Sequence, residues 1–214
     1  PRALRMLQDK TIEKGIVIVA GSIPWKDRTE GPVFNRCWVI GDGGDTTGFY
    51  DKTHLFPLLD EHIFFRPGEH PLLVDIYGVT ASIAICFDIR FPEFTRSIAL
   101  SGARMIFVPA EWPSPRIDHW ITLLRARAIE NQVYIVACNR CGKGGNDVYG
   151  GNSLVVAPDG NILFQAPQDE ECVATVDIDI SYLDKVRKTF PFSAGRNPGL
   201  YAPVTSMEEA KKRE

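Results

Sequence analysis

Cys86 lies at a point where the sequence changes character. In "ASIAICFDIRFPEF", residues 81–94, a run of buried-type residues ends at this cysteine, and charged residues and a proline follow. A buried strand that ends at a cysteine and turns into a helix places the thiol at the carboxyl edge of a sheet, where open α/β folds bind ligands. The amide of Phe87 would then be available to an oxyanion that forms beside the sulfur. The pattern predicts a nucleophilic cysteine, although free cysteines also serve as small core residues.

Lys52 is the candidate partner of this thiol. A cysteine with its ordinary pKa of about 8.5 is mostly protonated at neutral pH, so a nucleophile needs a nearby cation or base. In "FYDKTHLFP", residues 49–57, Lys52 ends an apolar strand, where burial of a lysine without a purpose is costly. His54 lies on the same side of an extended segment. We expect Lys52 to lower the pKa of Cys86, with a solvated strand-end lysine as the alternative.

The composition excludes several classes of function. The 214 residues are 44% hydrophobic and carry a formal net charge of -3, with acidic and basic residues spread along the chain. This leaves no basic stripe for nucleic acid or an anionic membrane surface, and no apolar run approaches the roughly 20 residues that span a bilayer. We therefore expect a cytoplasmic protein that binds neither nucleic acid nor membrane.

The chain contains five cysteines, an odd number that cannot all pair in disulfides within the chain, and a chain of this length does not need disulfides for stability. The cysteine content therefore indicates a reducing compartment. Cys138 and Cys141 have CxxC spacing, but a zinc site would need two further ligands at a matching spacing. We expect neither a metal nor an organic cofactor.

The periodicity predicts a mixed α/β order, with a βαβαβ core flanked by hairpins. The elements share no repeat and no linker, so one domain over residues 1–214 is expected, with helices packed outside two sheets. The strand in residues 15–22 reads as buried on both faces. The predicted strands are "GIVIVAGS", "NRCWVIG", "TTGFYDKTH", "HPLLVDIYG", "VTASIAIC", "RMIFVPA", "VYIVACN", "GNSLVVAPDGNILFQ" and "ECVATVDID", and the helices are "RALRMLQDKTIEK", "PEFTRSIALSG", "HWITLLRARAIENQ" and "SYLDKVRKTF".

Five motifs in order carry a family resemblance: "YDKTHLFP", "ICFDIRFPE", "VPAEWP", "LLRARAIENQVYIVACNR" and "GGNSLVVAPDG". From about residue 15 to about residue 200 the chain resembles the nitrilase or carbon-nitrogen hydrolase superfamily, and most closely its small amidase branch, which includes omega-amidases. The resemblance implies an α-β-β-α sandwich. It also implies hydrolysis of a small linear amide to a carboxylic acid and ammonia through a cysteine thioester.

The resemblance also implies roles for individual residues. Cys86 matches the nucleophile, and Lys52 matches the lysine that holds the oxyanion together with the Phe87 amide. Glu61 matches a second glutamate that positions the lysine and the substrate, and Glu111 and Trp112 match positions that line the acyl pocket.

We expect structural or substrate-binding roles for three arginines. Arg90 and Glu93 resemble an architectural ion pair of the family. Arg116 or Arg140 could bind a carboxylate at the far end of a substrate. Glu111 would repel that carboxylate if it faced the pocket, so a neutral or cationic substrate also stays open.

The sequence departs from the family pattern at the general base. The family's base is a glutamate after an early strand, and none of the early acids Asp9, Glu13, Asp27 and Glu30 has that context. We therefore expect the opening strand, helix and strand of the fold, and this base, to lie upstream of Pro1.

Two other functions stay open. One is a Cys-His hydrolase that uses His54 or His119 as its base. The other is a catalytically impaired or non-catalytic protein with the same fold. The resemblance further implies a homodimer or a larger homo-oligomer.

Overall fold

The computed structural model describes residues 2–201. The helices are α1 (Arg2–Lys14), α2 (Glu61–Phe64), α3 (Pro92–Leu100), α4 (Ile117–Asn131) and α5 (Ile180–Thr189). The strands are β1 (Ile18–Trp25), β2 (Phe34–Ile40), β3 (Thr46–Asp51), β4 (Val74–Ile76), β5 (Val79–Ile83), β6 (Met105–Ala110), β7 (Tyr134–Asn139), β8 (Cys141–Gly144), β9 (Asp147–Gly150), β10 (Leu154–Val156) and β11 (Ile162–Gln165).

Two sheets form the inner layers of the molecule. The first contains three antiparallel strands in the order β1-β2-β3, and the second contains six strands in the order β11-β10-β7-β6-β5-β4. Within the second sheet β5, β6 and β7 are parallel, as the predicted βαβαβ core requires. Because these three strands run the same way, their carboxyl ends meet at one edge.

Two apolar clusters hold the layers together. One lies between the sheets and joins Cys37, Val39 and Tyr50 of the first sheet to residues of β5 such as Ile83. The other packs α3 and α4 against the opposite face of the second sheet, with Leu124 at its centre. Since α1 packs on β1 and β2, the layers follow the predicted α-β-β-α order.

Glycine explains two of the chain reversals. Tyr77 and Gly78 both have positive φ, 51° and 80°, as a two-residue turn between antiparallel strands requires, and they join β4 to β5. Gly15 directly follows α1, and its N–H donates to the Thr11 carbonyl at 2.8 Å. Its φ of 62° is left-handed, and this conformation ends the helix.

Two sequence predictions about the strands are corrected, and one strand pair was missed. The strand expected at 15–22 is Ile18–Trp25, and within the described residues it lies at the edge of its sheet with partly exposed residues, rather than buried on both faces. Residues 171–179, "ECVATVDID", have a strand-like pattern but no regular secondary structure, and within the described residues they pair with no strand of either sheet. The hairpin of β8 and β9 was not predicted, since its glycine-rich sequence has no apolar alternation.

Within residues 2–201, every helix is too short or too polar to cross a lipid bilayer.

We predict that Leu124→Ala lowers the free energy of unfolding by about 2–5 kcal/mol, because the leucine is fully buried between α4 and the second sheet and its loss leaves a cavity. Leu100→Ala is the matched control, since Leu100 is 51% exposed at the end of α3 and its truncation should change stability by less than about 1 kcal/mol. Urea unfolding followed by circular dichroism measures both. Equal losses would contradict the assignment of the core.

Candidate active site

A cavity of about 580 Å³ opens at the carboxyl ends of the parallel strands, between the two sheets. This volume suits a small organic ligand. The six residues to which the family resemblance assigns a role in chemistry or substrate binding all line it: Lys52, Glu61, Cys86, Phe87, Glu111 and Trp112. They come from separate segments of the chain, so the fold brings them together.

Cys86 occupies a sharp turn between a strand and a helix. β5 ends at Ile83, and a short 3-10 helix begins at Cys86 itself. The φ of Cys86 is 48°, in the left-handed region that residues other than glycine rarely adopt. Its Sγ lies 4.0 Å from the carbonyl oxygen of Glu111, at the end of β6. The cysteine is therefore held in a costly backbone conformation that presents it to the cavity.

Lys52 follows β3 and is buried, with 2% of its side chain exposed. Its Nζ donates to Oε2 of Glu61 at 2.6 Å. Glu61 also accepts the N–H of Phe56 at 2.7 Å and the side-chain amide of Asn35 at 3.4 Å. Three donors thus fix the carboxylate, and the carboxylate balances an ammonium that burial alone would make unstable.

Burial decides the ionisation of the thiol. It is the largest influence on Cys86 and raises its pKa to about 11, while the Lys52 charge lowers the pKa and the charges of Glu61 and Asp88 raise it. The expectation that Lys52 lowers the pKa is right in direction, but the effect is smaller than that of burial. The thiol is therefore protonated at neutral pH, and attack by sulfur requires a proton acceptor.

Glu111 and Trp112 line the cavity in different ways. Glu111 is more than half exposed and forms a 2.9 Å ion pair with Arg140, so its charge is balanced on one side. Trp112 is buried, its backbone N–H donates to Asn139 at 2.6 Å, and its indole N–H donates to the Arg116 carbonyl at 2.7 Å. Trp112 is thus a rigid wall of the cavity.

The expected ion pair of Arg90 and Glu93 is absent. The guanidinium of Arg90 instead lies 4.7 Å from the ring centroid of Trp112, and Arg116 lies 5.8 Å from that of Phe56. Both arginines line the cavity. Burial and the neighbouring Arg116 charge lower the pKa of Arg90, as expected for two cations held close together.

Neither histidine of the Cys-His alternative lines the cavity. Nδ1 of His54 lies 2.8 Å from Asp88, and the ring stacks on Phe91 with centroids 3.8 Å apart. Nδ1 of His119 lies 3.4 Å from Arg90, and His119 is exposed. The geometry therefore does not support a histidine base for Cys86.

Sequence reasoning missed Asp88 and Asn139. Asp88 is fully buried and accepts the N–H of Ile85, directly before the cysteine, at 2.7 Å. Asn139, at the end of β7, binds the backbone on both sides of the cavity wall, at Trp112 and Gly151. An acid three residues after the last strand-like position is a sequence signal for a capped turn, and it could have identified Asp88.

Comparison with known proteins gives one family. The family model described as carbon-nitrogen hydrolase matches residues 2–188, which include every residue that lines the cavity. The chain is 39% identical over 193 residues to a 2-oxoglutaramate amidase of Bacillus subtilis (strain 168), with 90% of this chain and 73% of that protein aligned.

The similar solved structures include two with a modified active site. One is a carbon-nitrogen hydrolase superfamily protein from Xanthomonas campestris with an arsenic adduct in its active site, at a TM-score of 0.82 and 34% identity over 89% of this chain and 72% of that chain. The other is an amidase from Nesterenkonia with the acetamide moiety of fluoroacetamide added covalently at its active-site cysteine, at a TM-score of 0.74 and 28% identity over 88% of this chain and 73% of that chain.

We predict that the rate of Cys86 alkylation by iodoacetamide rises with pH up to about 11, because burial keeps the thiol protonated below that pH. Lys52→Met should shift the curve to higher pH, since the cation that favours the thiolate is lost. Mass spectrometry of the alkylated peptides measures the rate. Cys37 is the internal control, because burial raises its pKa to about 12 and it lies outside the cavity. An unchanged curve in the variant would show that Lys52 does not act on the sulfur.

Proposed function

Because this chain belongs to the carbon-nitrogen hydrolase family, we propose that it hydrolyses a small linear amide to a carboxylic acid and ammonia through a thioester on Cys86. The supporting observation is that Cys86 and the buried pair of Lys52 and Glu61 line one cavity. A nucleophile beside a fixed ammonium is the arrangement that acyl transfer needs, since negative charge develops on the attacked carbonyl oxygen.

The proposed reaction has two halves. The sulfur of Cys86 gives its proton to a base and attacks the amide carbon, and Lys52 and the Phe87 N–H hold the resulting oxyanion. The carbon–nitrogen bond then breaks, and the nitrogen leaves as ammonia after taking up a proton. Water attacks the thioester, gives up a proton, and releases the acid and the free thiol. Glu61 keeps Lys52 in place through both halves.

The proton acceptor is the role that the described residues fill least well. Glu61 and Asp88 each accept several hydrogen bonds, and Glu111 is paired with Arg140. The family resemblance assigns the role to a glutamate in another context. This observation, together with the raised pKa of Cys86, favours as second candidate a protein of this fold whose catalysis is impaired or lost.

The charges around the cavity support a substrate with a carboxylate at its far end. Arg90 and Arg116 line the cavity on aromatic faces, and neither lies within ion-pair distance of a carboxylate in the described part of the chain. Unpaired guanidinium groups bind carboxylates well. The negative charge of Glu111 is balanced by Arg140, so it opposes such a substrate less than the sequence suggested. The 2-oxoglutaramate amidase relative agrees with this class.

The proposal includes a cellular compartment and an oligomeric state. All five cysteines are free thiols, which supports a reducing compartment such as the cytoplasm. The family resemblance supports a homodimer that pairs through the helices beside the nucleophile, which here are α3 and α4.

We predict that the protein releases ammonia from a linear omega-amide that carries a carboxylate, and that Cys86→Ala abolishes the release. Cys172→Ala is the matched control, because Cys172 is exposed and distant in sequence from every residue that lines the cavity. A coupled ammonia assay over amides of increasing length measures the activity. No release from any amide would reject the proposed hydrolysis and favour the non-catalytic candidate.

We predict that Arg116→Gln raises KM for the carboxylate-bearing amide by about tenfold, since one charge-assisted hydrogen bond is lost, and leaves kcat nearly unchanged. The control is an amide of the same length with an uncharged end, whose KM should stay within about twofold of the wild-type value. Steady-state kinetics on both substrates measure the difference. An equal rise for both amides would show that Arg116 does not recognise the carboxylate.

A further inference from the structure

Asp88 is a fully buried carboxylate that joins the two sheets. From the turn that follows β5 of the second sheet it accepts the backbone N–H of Ile85 at 2.7 Å. From the end of the first sheet it accepts the hydroxyl of Tyr50 at 2.8 Å and the backbone N–H of His54 at 3.0 Å, and Nδ1 of His54 lies 2.8 Å away. Four contacts from two separate segments thus meet at one side chain.

On one side, Asp88 stabilises the turn of the nucleophile. Ile85 directly precedes Cys86, whose φ of 48° is unfavourable for a residue with a side chain. The Asp88 carboxylate accepts the Ile85 N–H and lies inside the 3-10 helix that begins at Cys86. Because the carboxylate closes this turn, it offsets the cost of the left-handed cysteine.

On the other side, Asp88 fixes the segment that carries Lys52. Tyr50 precedes the lysine by two residues, and its oxygen also accepts the N–H of Thr53 at 3.1 Å. His54 follows the lysine by two residues and stacks on Phe91. The backbone on both sides of Lys52 is therefore anchored to the carboxylate that anchors the cysteine turn.

We propose that Asp88 is a positioning residue, which sets the distance between the Lys52 ammonium and the Cys86 sulfur by fixing both of their backbone segments. Asp88 does not line the cavity, so it acts through these neighbours. This inference deepens the proposed function and rests on it.

The charge of Asp88 supports a geometric role. This charge raises the pKa of Cys86, so it opposes formation of the thiolate. If ionisation of the thiol were its contribution, a carboxylate would be the wrong group at this position. What it offers instead is four acceptor sites for donors that must meet at one point.

The test uses Asp88→Asn, which keeps the shape of the side chain and loses its charge and one acceptor. We expect kcat for amide hydrolysis to fall by about 100-fold with little change in KM, as for a misplaced reacting group. We also expect the rate of Cys86 alkylation at about pH 8 to fall by about tenfold, which corresponds to one unit of pKa, because Lys52 loses its position beside the sulfur.

The alkylation result separates geometry from charge. If Asp88 acted only through its charge, the rate would rise, because the variant removes a negative group that disfavours the thiolate. If Asp88 acts by placing Lys52, the fall should vanish in a Lys52→Met background. A rise, no change, or the same fall without Lys52 would each overturn the proposal.

Two further variants keep the test decisive if Asp88→Asn does not fold. Tyr50→Phe removes one donor to Asp88 and keeps the ring, so the alkylation rate should fall by about threefold with the protein folded. A Tyr50→Phe rate equal to wild type would overturn the proposal even if Asp88→Asn fails to fold. Asp184→Asn is the matched control, since this aspartate is exposed on α5 and forms a surface ion pair with Arg104.

Alkylation needs no turnover, so the two proposals can fail separately. A protein that releases no ammonia but shows the Lys52-dependent fall would retain the role of Asp88 and lose the proposed reaction. A protein that hydrolyses amides normally with Asp88→Asn would lose the role of Asp88 and retain the reaction.

Discussion

One ammonium group, that of Lys52, sets the conditions for the whole site. It is buried between two sheets, and a cation in such a place is stable only if an anion and further hydrogen bonds accompany it. Glu61 meets that need, and it is itself fixed by Phe56 and Asn35. The loop and short helix that carry Glu61 must therefore dock where they do. The same burial that strengthens the field of the ammonium keeps the neighbouring thiol protonated, so a site of this kind must combine its cation with a separate proton acceptor.

The residues proposed for chemistry were easier to place from the sequence than the residues that support them. Cys86 and Lys52 each end an apolar strand, and this pattern places them at a sheet edge without knowledge of any partner. Asp88 makes more contacts in the site than either, yet its sequence context is only an acid near a turn. Its importance comes from donors that lie 34 and 38 residues away along the chain, which no local pattern encodes.

In the fold, too, features set by local sequence were easier to predict than features set by tertiary contacts. The turn at Tyr77 and Gly78 and the helix stop at Gly15 follow from local backbone geometry, and both were predictable. Residues 171–179 have the alternation of a strand, but alternation alone does not specify a pairing partner, and in the described residues this segment pairs with no strand. The predicted ion pair of Arg90 and Glu93 was wrong for a similar reason. The arginine lies on the face of Trp112, a residue brought near only by the packing of β6.

The bridge through Asp88 makes the site part of the global fold. The amides of Ile85 and His54 both donate to this one carboxylate, from the segments that follow β5 of the second sheet and β3 of the first. Ile85 donates to Oδ2 and His54 to Oδ1 of the same side chain, so displacement of Asp88 breaks both hydrogen bonds at once. Any motion of Asp88 away from these donors therefore frees both amides together, so we expect their hydrogen-exchange rates to change in parallel when the contact between the two sheets is weakened.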